Sequence, residues 1–238
     1  MKKNSCFWGI ILLSVLFVSC GTTTRGLKSE VFAEMYGEKP PVSILVMPPI
    51  NTTSNVDAKD YFYYTLNQTL ADSGYYVYPS LLAMETLQSE SAYDSELFVD
   101  GDISKFGSTF GADLVLFTTI TRWEKSVVGS KVIVEIDYNF RSTSTGNTVY
   151  HRATTFTCNT AAQSSGGGLF ALALQAALSV AQTALTDYVR VARACNYTSL
   201  SGDLPAGKYN EARFGVDGAE SAGAEQAGFM VNLNRLPY

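Results

Sequence analysis

Leu16-Phe17-Val18-Ser19-Cys20-Gly21 sets a thiol directly behind a small residue. That spacing suits one reaction. A lipoprotein signal peptidase needs Ser19 to fit a tight cleavage site, and it needs the Cys20 thiol to carry a diacylglyceryl group. Phe17 stands where leucine is usual, which bears on the efficiency of cleavage and not on its position. Lys2 and Lys3 give a positive end, and residues 7–18 form an apolar run. That run is about a dozen residues, short of the roughly 20 that a spanning helix needs. Residues 1–19 are therefore expected to be a signal peptide, with lipidation at Cys20. Gly21 follows where an aspartate would act as an inner-membrane retention signal, so the expected location is the periplasmic side of the outer membrane.

Little other chemistry is on offer. With Cys6 in the leader and Cys20 lipidated, Cys158 and Cys195 remain as an even pair in an oxidising compartment. They are open to a disulfide or to two separately buried thiols. His151 is the lone histidine, and no metal site is expected around it. Gly202-Asp203-Leu204-Pro205-Ala206-Gly207-Lys208-Tyr209 has the spacing of a phosphate-binding loop. Tyr209 replaces the Ser or Thr that would hold magnesium, however, and no strand-then-helix context surrounds the run. Gly166-Gly167-Gly168 could bare amides to an anion, but no Lys or Arg lies beside it, so a joint ahead of a helix is the better reading. Neither Gly-x-Ser-x-Gly nor His-Glu-x-x-His occurs. The expectation is a protein with no catalytic residues and no cofactor.

Tyr61-Phe62-Tyr63-Tyr64 is a different kind of signal. Four successive aromatics on a helix cannot all face one core. Tyr61, Tyr63 and Tyr64 are the candidate partner surface, because aromatic rings bury area at low entropic cost. The competing reading has loops or the tail covering them.

These residues need elements to hold them. Residues 42–47 are almost wholly apolar and end at Pro48-Pro49, which fits a strand buried on both faces. Residues 56–73 carry helical spacing at Val56, Tyr63, Leu66 and Leu70, closed by Gly74. Residues 75–78 read as a strand, Ser80 begins a short helix, and residues 102–110 another that stops at Gly111. From Asp113 the period becomes that of strands. Val132, Val134, Ile136, Tyr138 and Phe140 alternate with polar positions, Ser144-Thr145-Gly146-Asn147 marks a turn, and residues 148–157 return as the hairpin partner. A long Ala/Leu-rich helix is expected from Leu169 to about Ala194. The fold class is α/β: a mixed parallel and antiparallel sheet of about five strands with helices packed on it. Residues 20–40 are expected to be the lipidated cysteine and a flexible tether, with one helical turn near Phe32 to Tyr36, reaching some 60–70 Å when extended, residues 41–200 the domain, and residues 201–238 an irregular Gly-rich tail.

Loss of the leader leaves 15 basic against 22 acidic residues. No basic cluster survives, so nucleic acid is not an expected partner, and the lipid rather than surface charge must supply the membrane contact.

In order along the chain, Ser43-Ile44-Leu45-Val46-Met47-Pro48-Pro49-Ile50-Asn51, Gly74-Tyr75-Tyr76-Val77-Tyr78-Pro79, Phe110-Gly111-Ala112-Asp113 and Ser144-Thr145-Gly146 resemble landmarks of the DUF-799 family of bacterial lipoproteins. The similarity covers roughly residues 40–195. It implies a fold similar to the N-terminal domain of the Tol-system periplasmic protein and to the periplasmic domain of the curli secretion channel. It transfers no catalytic residue, and it implies a channel-like envelope lipoprotein as a neighbour. The expected role is therefore a lipid-anchored, non-enzymatic component of an envelope complex that binds protein, including copies of itself. The alternative is a periplasmic module for a small ligand or glycan.

Overall fold

A computed structural model describes residues 25–126, 128–161 and 187–232. The short helix α1 (Lys28–Val31) opens the chain, followed by a 3-10 turn (Ala33–Tyr36). Then come β1 (Ser43–Val46), β2 (Ile50–Asn51), α2 (Ala58–Asp72), β3 (Tyr76–Val77), α3 (Ser80–Ser89) and α4 (Ser104–Phe110). The long strands β4 (Leu114–Ser126), β5 (Lys131–Ser142) and β6 (Thr148–Asn159) follow, then α5 (Tyr188–Leu200) and β7 (Gln226–Asn232). Among the described residues seven strands make one sheet, ordered β3-β1-β4-β5-β6-β7, with β2 beside the far half of β4. β1 runs parallel to β3 and β4, the β4-β5-β6 meander is antiparallel, and β7 returns parallel to β6. The mixed α/β class expected from the sequence is the class observed.

The two-sided burial of β1 explains its unbroken apolar run. Ile44 and Val46 join the core under α2 and α5, while Leu45 and Met47 join a second core under α3 and α4. β4 divides the same way, with Leu114 and Leu116 on one side and Val115 and Phe117 on the other. By contrast, β5 buries only alternate residues, from Val132 to Phe140, and leaves its other face partly wet. Asp113 pins β1 to β4: its Oδ2 accepts from the Val42 and Ser43 amides at 2.9 and 3.0 Å and from the Ser43 hydroxyl at 2.9 Å. Arg141 donates to the carbonyls of Phe98, Val99 and Gly101 and so holds the approach to α4 on the sheet.

Both ends of the domain differ from expectation. Phe32 and Met35 are core residues, and Lys28 is buried to 1% exposure, so the segment expected to be a tether is folded from about Gly26 onward. Packing a Phe and a Met stabilises by about 1.5–3 kcal/mol each, which outweighs a weak local helical preference. The Gly-rich tail is also structural. Leu204, Ala206 and Ala222 are buried, Tyr75 donates to the Pro205 carbonyl at 2.7 Å, and β7 extends the sheet. Gly74, at φ +94°, and Gly207 meet so closely that a Cβ on Gly207 would lie 2.3 Å from the Gly74 carbonyl oxygen. Only glycines permit that approach. The two ends are joined: Lys28 Nζ donates to Glu220 at 2.6 Å and to the Gly202 carbonyl, and Leu27 bridges Ser221.

Candidate functional site

Helix α2 settles the aromatic quartet. Phe62 and Tyr63 point inward with Leu66 and Leu70, one helical face against the sheet. The Tyr63 ring is 2% exposed and its hydroxyl donates to the Ser80 carbonyl at 3.0 Å, so Tyr63 belongs to the core and not to a partner surface. Tyr61 is partly covered, its ring 6.1 Å from Trp123 and 5.9 Å from Tyr188. Tyr64 alone of the four stands clear, 58% exposed.

The Tyr63–Ser80 bond ties α2 to the first turn of α3, where Leu81 and Leu82 are 65% and 59% exposed. α3 spends Ala83 and Leu87 on the core and leaves those two leucines outward. Tyr64 on α2 and Leu81 and Leu82 on α3 are thus large apolar side chains left outward by two helices that this bond joins. Next to it lies a groove of about 170 Å³ lined by Pro48, Pro49, Met84 and Tyr93. That is smaller than the roughly 300–1,000 Å³ that encloses a small molecule, so the surface suits a protein contact better than a ligand pocket. A larger groove, about 440 Å³, lies open on the wet face of β5 and β6, lined by Glu135, Asp137, Thr155, Gln226 and Gly228.

Cys158 and Cys195 are free thiols, both fully buried, and the bridge between them is not formed. The Cys195 sulfur is engaged elsewhere, 3.9 Å from the Tyr138 hydroxyl and 4.0 Å from the Ser199 hydroxyl. Burial pushes the Cys158 thiol up to about 11 and the Cys195 thiol up to about 12. Neither is a nucleophile near neutral pH.

The stretch with phosphate-loop spacing has its amides occupied by protein. The Ala206 N–H donates to Asp217 at 2.8 Å, Gly207 to the Ser73 carbonyl at 2.9 Å and Tyr209 to the Gly74 carbonyl at 2.9 Å. Asp203, inside the same stretch, accepts from Tyr150 at 2.9 Å and pairs with buried Arg152. Those bonds fasten the tail to β6 and commit the Ala206, Gly207 and Tyr209 amides to protein rather than to an anion. Cys20, the run Gly166-Gly167-Gly168 and the start of the expected long helix at Leu169 lie outside the described residues. The expected continuation to Ala194 is corrected, because Asp187 is extended and caps a helix that starts afresh at Tyr188, its carboxylate accepting from the Val189 amide at 2.9 Å. That helix, α5, runs on to Leu200.

One cluster has no counterpart in the sequence reading. His151 Nε2 lies 2.7 Å from Asp137 and Nδ1 2.7 Å from Glu225, which also faces Arg25 at 3.5 Å. A neutral imidazole has one N–H, so only the imidazolium donates to both carboxylates. Burial lowers the histidine's proton affinity, but the bond to Glu225 and the charge and bond of Asp137 outweigh it, and the net shift is upward. The Asp137–His151 half was available from strand register, since Asn139 opposes His151 and Asp137 sits two residues along the same face. Glu225 was not, because it enters only through β7.

A profile described as "Putative lipoprotein GNA1162-like" matches residues 32–207. The matched span begins at the first core residue of the folded chain and ends at the glycine packed on Gly74. Among curated proteins, lipoprotein NMB1124/NMB1162 of Neisseria meningitidis serogroup B is 30% identical over 91 residues, 38% of this chain, and the chain spans 42% of that relative's length. Among solved structures, lipoprotein GNA1162 from Neisseria meningitidis aligns at 23% identity over 61% of this chain and 100% of its own, with TM-score 0.46. The PelC dodecamer from Paraburkholderia phytofirmans aligns at 15% identity over 68% and 86%, with TM-score 0.39.

Proposed function

The chain belongs to the GNA1162-like lipoprotein family, and on that premise we propose that it is a lipid-anchored envelope protein, held by acylated Cys20 on the periplasmic side of the outer membrane, that acts by binding protein. The family carries the lipoprotein character, under a different description from the DUF-799 resemblance. Cys20 behind Ser19 supplies the acylation site. The observation that carries the binding role is the junction of α2 and α3. There α3, which packs through Ala83, Met84 and Leu87, leaves Leu81 and Leu82 exposed, as α2 leaves Tyr64. Non-enzymatic action agrees with the chemistry on hand: the two thiols are inert, the loop amides are occupied, and His151 is held between two carboxylates. The partners in this reading are an envelope protein, a channel-like lipoprotein first among them, or further copies of the chain.

In-cell crosslinking from residue 64 tests the binding role. A photoreactive side chain there should trap a specific neighbour, and Leu81→Asp with Leu82→Asp should abolish the adduct without lowering the melting temperature. Recovery of no specific adduct from residue 64 refutes it. For the anchor, Cys20→Ala should abolish labelling by a fatty-acid probe; retained labelling refutes acylation at that site.

A further inference from the structure

The folded chain begins much nearer the acylation site than a flexible tether would allow. Gly26 accepts from the Ala222 amide at 2.9 Å, Leu27 bridges Ser221, and Lys28 is buried against Glu220. Between Cys20 and Gly26 stand five residues, Gly21-Thr22-Thr23-Thr24-Arg25. Six Cα steps span at most about 20 Å, and an unstrained coil of that length averages roughly 13 Å. The body is larger than that. β5 has twelve residues, about 40 Å at 3.4 Å each.

We propose that the lobe made by Gly26–Val31 and residues 213–222 lies against the bilayer that holds Cys20, an orientation that rests on the lipid-anchor reading. Its members are one packed unit: Arg213 donates to Glu220 at 2.8 Å, and Gly218 packs on Ser29 and Tyr36. Leu27 and Val216, 40% and 68% exposed, are its apolar contacts with the headgroup region. Charge does not do the holding, because Arg25 and Arg213 already face Glu225 and Glu220. The opposite pose is out of reach. Ala153 bonds to the Glu225 carbonyl near this lobe, and the β4-β5 hairpin tip at Val128 lies beyond Asn159, which pairs with Lys131. Six strand residues and the hairpin separate them, about 25 Å or more. Setting that tip on the membrane would lift Gly26 farther than the linker extends.

The test uses the full acylated chain in phosphatidylethanolamine/phosphatidylglycerol vesicles carrying a headgroup nitroxide. A fluorophore is placed at Val216→Cys or at Val128→Cys, the two native thiols being buried. The probe at 216 should be quenched several-fold more than the probe at 128, and twenty Gly/Ser residues inserted after Thr24 should shrink that ratio towards one. Equal quenching in the chain of native length overturns the orientation while leaving the anchor intact. A chain that fails to float with the vesicles removes the anchor, and the orientation with it.

Discussion

His151 is the chain's only histidine, so a stability transition between pH 6 and 8.5 has one side chain to answer for it. In the folded state both ring nitrogens face carboxylates at 2.7 Å, and the group's proton affinity is raised. A raised folded value means that the stabilisation is fully present below about pH 6.5, the unfolded value. It is lost as pH rises through the folded one. The ring is a third exposed and Glu225 half exposed, so each contact is worth an exposed ion pair, about 0.2–1 kcal/mol, rather than a buried one. Two of them sum to about 1 kcal/mol. For a domain of this size that is a melting-temperature fall of about 2–4 °C across the transition. Differential scanning calorimetry of the chain expressed without residues 1–20 from pH 5.5 to 8.5 would show the fall, and His151→Gln should flatten it. Because Glu225 immediately precedes β7, hydrogen exchange of the Gln226–Asn232 amides should quicken over the same range. A wild-type melting profile superimposable on that of His151→Gln refutes the assignment.

Tyr63 and Tyr64 should separate cleanly. Tyr63→Ala empties a core site and costs about 3–5 kcal/mol in chemical denaturation, whereas Tyr64→Ala should stay within about 0.5 kcal/mol. Equal costs would refute the division of the helix into inner and outer faces. Gly207→Ala sets a methyl against the Gly74 carbonyl and should cost more than the roughly 1 kcal/mol of ordinary overpacking; unchanged thermal stability would refute the close approach. Both thiols should resist alkylation at pH 8 in the native protein and react promptly in denaturant, a contrast read by mass spectrometry. Rapid native labelling of Cys158 or Cys195 would refute their burial.

The core strands were legible because their residues carry the information locally. Ile44 and Leu45 are both apolar since β1 has helices on both sides, and the alternation through Val132–Phe140 reports a sheet with one packed face. Gly74 and Gly111 ended helices in the left-handed conformation that glycine accepts without strain. The failures are non-local. Phe32 and Met35 have no periodic company, and their burial depends on β6, more than a hundred residues away; Phe32 packs on Tyr150 at 4.9 Å. Leu204, Ala206 and Ala222 are scattered among glycines and charges with no strand or helix period. β7 is a parallel addition, whose register no turn specifies. Tyr63 was readable both ways, as a member of the helical apolar stripe and as one of four consecutive rings, and the stripe prevailed. The His151 cluster hides in the same manner: its third member arrives with a strand that only the finished sheet reveals.

The seam between the chain's two ends has a consequence for export. On the lipid-anchor reading proposed above, the amino-terminal segment is exported first, yet Lys28 finds Glu220 only after 192 further positions have followed it. Until then the lysine ammonium waits without its carboxylate, and the contact it waits for is of the long-range kind that forms late. The last quarter of the polypeptide thus certifies the first. A product cut short before residue 220 would keep its central hairpins while leaving the leading segment unlatched, and in the proposed anchored form that loose segment would lie beside the membrane, open to proteolysis.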